Sequence, residues 1–446
     1  MYITRIVLEN IRCFEHVEID LASLSGPKMW TLLLGDNGVG KTTIMRSLAM
    51  GLVDATSASA LLKELYGEWV RNQAGKNGKP GTIRIEFDEK DSNGNAWYTE
   101  TVFEKTGSGD TKVSQETRPE DFPWDDIFVC GYGAARRAYG TKDYDEYSAI
   151  DSLYTLFQYD APLQNSELIL RRIKDTGVKH GELLSWIDKI LMLPEGSTKL
   201  NTSITVSGPW GKFMPLGSIG DGHQATLAWL LDMLGWAMSY DRDLFKKDKN
   251  KISGIVLLDE IEHHLHPSWQ KKVIPLLYEQ FPKLQFITTT HSVLAVIGTS
   301  SLPKEKCSLA VLEQEDDHSV IRDRLLPPYD RRADQVLTSY LFGLETTRSN
   351  DTVRKIERYT QLLSKEKRDK TEEIELKDLR SQLNKELGTP ETDLQRLVEK
   401  AIHKAIEGLI AEGISTSKKP PQEAINFEIM RQLHELFDTE ETHDQD

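Results

Sequence analysis

The chain has 446 residues, of which 39% are hydrophobic and 28% charged, with a formal net charge of −15 at pH 7. This is ordinary globular composition, which excludes a disordered chain or a membrane channel, and the acidic balance excludes a surface that tracks nucleic acid throughout. Three isolated cysteines, Cys13, Cys130 and Cys307, form no C-x-x-C pair, so neither a disulfide scaffold nor a zinc site is expected. No stretch reaches membrane-span length and the start MYITRIVLEN lacks the basic-then-apolar pattern of a secretory signal, which points to the cytoplasm.

In chain order, residues 2–8 and 17–21 read as strands. The apolar run Trp30-Thr31-Leu32-Leu33-Leu34 then leads directly into Gly35-Asp36-Asn37-Gly38-Val39-Gly40-Lys41-Thr42-Thr43, a complete G-x-x-x-x-G-K-T. A strand ending in a glycine-rich turn that opens a helix presents backbone N–H groups and the positive end of the helix dipole to phosphate oxygens. Gly35, Asn37, Gly38, Gly40 and Thr43 are therefore expected to line a nucleotide triphosphate. Lys41 would reach its β- and γ-phosphates, and the Thr42 hydroxyl would ligate Mg²⁺.

Residues 82–87 and 97–103 alternate apolar and polar side chains around Ser92-Asn93-Gly94, which predicts a hairpin, with a third short strand after the glycines at 107 and 109. Ile127-Phe128-Val129-Cys130 reads as a buried strand. Residues 150–195 carry helical periodicity, with Leu168, Leu170 and Ile173 on one stripe and Leu183, Leu184, Ile187, Ile190 and Leu191 on another, as in a separate lobe. A strand over 201–206 and an apolar helix over 225–238 follow. Residues 252–258 and 284–288 are short apolar runs ending in polar residues, the pattern of parallel strands whose C-terminal ends hold the chemistry.

Beyond residue 350 the composition changes. Residues 353–387 are rich in Lys and Glu, and Leu394, Leu397, Val398, Ala401, Ile402, Ile406, Leu409 and Ile410 repeat at helical spacing behind a Thr389-Pro390 start. This all-helical appendage is either a partner or dimer surface or a pair of helices packed on the core. The tail 435–446 is rich in carboxylates and is expected to be disordered. The resulting partition is 1–150, an N-terminal ATPase lobe with phosphate loop and β subdomain; 151–215, a helical insertion; 216–345, a second ATPase lobe; 346–434, the helical region; and 435–446, the tail.

The second chemical signal is Ile255-Val256-Leu257-Leu258-Asp259-Glu260, an apolar strand ending in two acids. Asp259 at the strand end suits the Mg²⁺ shell, and Glu260 suits the orientation and polarisation of the water that attacks the γ-phosphate. The third is Phe286-Ile287-Thr288-Thr289-Thr290-His291-Ser292, where His291 can donate to the γ-phosphate and sense its loss, or else serve as a satisfied structural histidine. Glu262-His263-His264-Leu265-His266-Pro267 has the residue types of a metal site, but a metal reading is set aside. Pro267 fits the first turn of a helix and Pro275 predicts a kink within it. Arg136 and Arg137 read as nucleotide- or nucleic-acid-binding cations or as a solvated pair. Glu313 to Asp317 reads as an acidic hairpin turn, not a nuclease centre.

Together these motifs resemble the ABC-type ATPases of the RecF and SMC kind, over about residues 1–345. The opening Leu8-Glu9-Asn10-Ile11-Arg12-Cys13-Phe14 is similar to their first strand and turn and implies nucleotide contact by Arg12. The resemblance implies an α/β fold, an ABC-type P-loop NTPase with a mixed β-sheet core, an antiparallel β subdomain, a helical insertion and a helical C-terminal appendage. It makes Ile219-Gly220-Asp221-Gly222-His223-Gln224 the signature segment. Gly220, Asp221 and Gly222 would then meet ATP held by a second copy in a head-to-tail dimer. Gly220 stands where the family has Ser, unless Ser218 serves by a shifted register. The family's glutamine loop falls at Cys130 to Arg137, which contains no Gln.

Phe342-Gly343-Leu344, Ala333-Asp334-Gln335-Val336-Leu337, residues 222–232 and Tyr132-Gly133 look similar to the ATPase subunits of bacterial anti-phage systems of the Septu type. That resemblance implies ATP and Mg²⁺ as cofactors, a homodimer or higher homo-oligomer, and regulation of a separate nuclease, HNH-type, with no nuclease of its own. A DNA-repair ATPase that binds DNA directly is the alternative. A transporter ATPase is disfavoured by the helical C-terminal region and the missing glutamine.

Overall fold

The computed structural model describes residues 1–71, 79–106, 110–136, 144–175, 180–200, 203–208, 211–215, 218, 220–248, 251–365 and 368–386. The chain divides into two units, Met1–Glu345 and Thr346–Asp446.

The first unit opens with strands β1 (Ile3–Ile11) and β2 (Phe14–Asp20), a short ribbon of β3 (Ala22–Ser23) and β4 (Gly26–Pro27), and β5 (Trp30–Gly35). Helices α1 (Lys41–Gly51) and α2 (Ala55–Lys63) follow, then β6 (Gly81–Lys90), β7 (Ala96–Lys105) and β8 (Thr111–Arg118). The hairpin predicted around Ser92-Asn93-Gly94 is β6–β7, and the third strand expected after it is β8. These strands form a fully antiparallel sheet in the order β2-β1-β6-β7-β8.

Strand β9 (Val129–Tyr132) enters a second sheet. After it come α3 (Ala149–Leu153), α4 (Ser166–Asp175), α5 (His180–Ile190), β10 (Thr198–Leu200), β11 (Ile204–Gly208) and β12 (Gly211–Pro215), then α6 (Asp221–Tyr240) and α7 (Arg242–Asp248). The expected helical insertion thus ends in a three-stranded antiparallel sheet, β10-β11-β12, of which the strand expected over 201–206 is β11 and its two partners were not expected. On α4, Ile169, Leu170 and Ile173 are buried while Leu168 is exposed, so the apolar stripe runs one residue away from the expected one.

The remainder of the unit is β13 (Gly254–Leu258), α8 (Pro267–Gln280), β14 (Leu284–Thr289), α9 (Val293–Gly298), β15 (Cys307–Glu315), β16 (His318–Leu325) and α10 (Ala333–Leu337). The six-stranded sheet has the order β16-β15-β5-β14-β13-β9, parallel from β15 to β9 with β16 antiparallel at the edge. The acidic stretch at Asp316 and Asp317 is the β15–β16 turn. His266 caps α8, Pro267 takes its first position, and the helix runs on through Pro275.

Alternate residues of the parallel strands serve two different cores. Trp30, Leu32, Leu34, Val256, Leu258 and Phe286 point to one side, with α6 and the insertion helices. Leu33, Ile255, Leu257 and Ile287 point to the other, where Ile44, Met45 and Leu48 of α1 share a core with Ile6, Leu8, Ile83 and Ile85 of the antiparallel sheet. Burial on both faces explains the unbroken aliphatic runs of β13 and β14. The insertion is therefore continuous with the first of these cores: Leu170, Leu183, Ile187, Leu191 and Val206 pack in one cluster with Trp30 and Leu258.

In the second unit, α11 (Asn350–Leu363) and α12 (Lys370–Glu386) pack together, joined by a two-point ion pair from Arg358 to Glu375 at 2.8 Å, and Leu362 and Leu383 are buried. The helix expected from Thr389 and Pro390 through Ile410 and the acidic tail from Glu435 lie outside the described residues.

Candidate functional site

The site gathers where β5, β13 and β14 end side by side. After β5 the backbone takes left-handed conformations at Gly35, Gly38 and Gly40, with φ of +141°, +87° and +104°, which a side chain would oppose. At Gly40 there is also no room: a Cβ would lie 2.5 Å from Cys13 Sγ and from the Phe14 ring. The β1–β2 turn thus presses the phosphate loop into shape from behind. Helix α1 begins with Gly40 as cap and no side-chain cap bond, so its first N–H groups are left for another partner.

Lys41 is 7% exposed, and its ammonium donates to the carbonyls of Gly35 and Asp36, each at 2.8 Å. Burial pulls its pKa below the ordinary lysine value, opposed by the carboxylates of Asp259, Glu260, Asp36 and Glu262. The Thr42 hydroxyl donates to Asp259 Oδ2 at 2.7 Å. The other carboxylate oxygen of Asp259 accepts from Thr289 Oγ1, which is itself the acceptor for the Glu260 N–H at 2.7 Å. Asp259 continues the ladder by donating its N–H to the Tyr132 carbonyl at 2.8 Å. Sequence positions 42, 259 and 289 therefore meet through one buried carboxylate.

Glu260 stands in the left-handed region with φ +50°, and its carboxylate lies 3.3 Å from His263 Nδ1. His291 follows β14 with an exposed side chain. Its N–H donates to Glu262, whose second oxygen accepts from Thr290 Oγ1 at 2.7 Å. Glu262, read in the sequence only as a member of a His-rich cluster, thus holds the backbone that carries His291. No group of three or more metal-ligating side chains forms among the described residues.

Arg12 also has φ +45°; its guanidinium donates to the Tyr66 carbonyl at 2.8 Å and lies 5.1 Å from the Trp69 ring centre. Its neighbours Cys13 and Phe14 are the residues that press on Gly40. Gly220 caps α6, again with no side-chain cap bond, and Gly222 packs so tightly that a Cβ would lie 2.2 Å from the His264 carbonyl oxygen. An apolar groove of about 850 Å³ opens there, lined among others by Met192, Gly220, Gly222, His223, His266 and Trp269. Ser218 is exposed and donates to the Pro215 carbonyl at 2.8 Å. Ile219 and the side chain of Asp221 lie outside the described residues.

The largest departure from the sequence reading is Arg136. It is not a solvated cation: it is 7% exposed and its guanidinium donates to backbone carbonyls of Gly133 (3.0 Å), Asp259 and Glu260 (2.8 Å). Arg137 lies outside the described residues. A second group missed by motif reading is Asp232 on α6. Its carboxylate accepts from the Tyr132 hydroxyl at 2.7 Å and from the Gln164 N–H at 2.8 Å, and burial raises its pKa to about 6. A lone acid inside the apolar stretch 225–238 was the available signal.

The residues fit a magnesium-bound nucleoside triphosphate. The uncapped N-terminus of α1 supplies donors, Lys41 supplies a cation held by two loop carbonyls, and Thr42 and Asp259 place two oxygen ligands suited to a hard divalent ion within 2.7 Å of each other.

A family model described as "AAA domain" matches residues 5–126, and another described as "AAA domain, putative AbiEii toxin, Type IV TA system" matches residues 143–297. The Septu protein PtuA of Bacillus mycoides (strain KBAB4) is 26% identical over 392 residues, 86% of this chain and 50% of that protein, so the chain spans about half its relative's length. The retron Ec83 probable ATPase of Escherichia coli is 62% identical over 40 residues, 9% of this chain and 7% of that protein. A solved SMC head bound to the C-winged helix domain of ScpA is 17% identical with a TM-score of 0.46, covering 72% of this chain and 97% of that one. No helix among the described residues is long and apolar enough to cross a membrane.

Proposed function

We propose that this chain, similar to Septu PtuA and matched by two AAA-domain family models, is an ABC-type P-loop ATPase of the RecF- and SMC-like class that binds and hydrolyses Mg·ATP as the ATPase of an anti-phage defence system and thereby regulates a separate nuclease. The observation that carries the chemistry is the single carboxylate of Asp259 joined to the Thr42 hydroxyl of the phosphate loop and to Thr289 at the end of the neighbouring strand.

In this reading the backbone N–H groups from Gly38 to Thr43 receive the phosphates, and Lys41 exchanges its two loop carbonyls for phosphate oxygens. Thr42 and Asp259 hold the metal, whose charge offsets that developing on the transferred phosphoryl group. Glu260 orients and polarises the attacking water. His291, held by Glu262 through its own N–H, reads the γ-phosphate. Gly220, Asp221 and Gly222 cap the nucleotide of a second copy, because α6 starts without a side-chain cap and its N–H groups suit an anion. The nuclease partner is read as HNH-type from the resemblance to the Septu ATPase subunits.

Sedimentation of the purified chain with Mg·ATP tests the dimer. The expected result is an ATP-dependent shift to a dimer that Lys41→Ala abolishes together with nucleotide binding. A monomer at saturating ATP, or a dimer indifferent to Lys41→Ala, would remove the sandwich from this account.

A further inference from the structure

Arg136 is a cation in an interior position whose hydrogen-bond acceptors among the described residues are three main-chain carbonyls. Burial lowers its pKa to about 10, opposed first by Asp259 and then by Glu262 and Glu260. A buried guanidinium is costly to desolvate, so its retention calls for a structural return at the place where its donors end. That place is the peptide pair carrying both acids of the site. The second of these, Glu260, adopts a left-handed φ of +50°, which a non-glycine residue takes up only when its surroundings impose it.

The restraints on that peptide are visible. Its N–H side is fixed by Tyr132 and Thr289, at 2.8 and 2.7 Å. On its carbonyl side Arg136 donates to both oxygens, and the His263 N–H donates to that of Glu260 at 3.0 Å. The guanidinium also lies 5.8 Å from the centre of the Trp229 ring, which packs at 5.8 Å against Tyr132. Trp229 sits two turns along α6 from Gly222, so one planar group joins the helix headed by the signature segment to the backbone of the acid pair.

Resting on the ATPase reading above, we propose that Arg136 is a positioning residue for Glu260: it clamps the carbonyls of Asp259 and Glu260, holds the left-handed turn that aims the Glu260 carboxylate, and ties that turn to α6 through Trp229. It acts through Glu260 and does not touch nucleotide. Nη2 donates to both carbonyls while Nε holds that of Gly133; lysine, with one ammonium in place of this plane, cannot also keep the Gly133 bond and the Trp229 face.

The test compares wild type, Arg136→Lys, Arg136→Gln, Glu260→Gln and the Arg136→Lys/Glu260→Gln double variant of the full chain. Amide hydrogen exchange of residues 259–263 is measured without nucleotide, alongside ATP affinity and ATP turnover. Both Arg136 variants are expected to speed exchange at 259–263 and to lower turnover by roughly 10²-fold, the cost of a misplaced catalytic group, with ATP affinity preserved. In the Glu260→Gln background, Arg136→Lys should cost no more than about twofold further, because residues acting as one unit do not add. Unchanged exchange, unchanged turnover in both Arg136 variants, or a full multiplicative loss in the double variant would overturn the proposal. Should Arg136→Gln fail to fold, Arg136→Lys decides alone. Normal turnover in Glu260→Gln would instead overturn the base role, a failure separate from the exchange result.

Discussion

Helices α1 and α6 both begin on a glycine without a side-chain cap, yet the two beginnings are built in opposite ways. At α1 every neighbouring group is tied inward: Lys41 to loop carbonyls, Thr42 to Asp259, Gly40 against Cys13 and Phe14. At α6 the start rests on the His264 carbonyl on one side and opens on an apolar groove on the other. A helix end enclosed by its own chain is equipped to bind by itself. One that faces a groove is equipped to meet something that arrives. The difference matches the proposed division of labour, nucleotide held by α1 in one copy and closed over by α6 of another.

The comparison can be broken most forcefully at the enclosed end. Glu260→Gln removes the proposed base without disturbing Lys41, Thr42 or Asp259, and steady-state ATP turnover should fall by ~10²- to 10⁴-fold, the usual contribution of general base catalysis. A drop of similar size in ATP affinity would place Glu260 in binding instead.

A smaller effect is expected at the open end. Gly222→Ala puts a Cβ within 2.2 Å of the His264 oxygen, so main chain must move. Overpacking of this kind costs about 1–3 kcal/mol, seen as a lower unfolding temperature. ATP-driven dimerisation should weaken while ATP affinity of the monomer stays unchanged; the reverse pattern would make the two helix starts one site.

The smallest effect concerns the interior of α6. Asp232 has its pKa raised from 3.8 to about 6 by burial. The stability this contributes is full below pH 3.8 and is lost as pH rises through about 6. Asp232→Asn removes that titration, so from pH 5 to 7 the wild type should lose on the order of 1 kcal/mol relative to the variant. Parallel pH profiles would show that the Tyr132 and Gln164 hydrogen bonds, not the proton, set the balance.

Much of the enclosed end was legible in the sequence because its signals are local. A glycine-rich turn must follow a strand and precede a helix, and the acids must follow an aliphatic run, so residues 35–43 and 255–260 announce their own geometry. The β6–β7 hairpin was legible for the same reason, with a turn triplet between alternating strands. What escaped depends on which strands lie side by side. Nothing near Arg136 says that β9 neighbours β13, so the contact between position 136 and positions 259 and 260 could not be read. Thr289 escaped likewise, since its link to Asp259 needs β14 beside β13. Of the insertion's three-stranded sheet β11 was legible, but its partner β10 was hidden because it has only three residues. Leu168 misled because an apolar residue beside a buried stripe looks like part of it, although a helix turns it outward.

The central claim is that one pocket separates holding ATP from cutting it, the first by Lys41 and Thr42 and the second by Glu260. The most direct measurement is the identity of the nucleotide retained by Glu260→Gln after incubation with Mg·ATP and removal of free nucleotide. The account predicts intact ATP. Recovery of ADP at the wild-type ratio, or of no nucleotide, would contradict it.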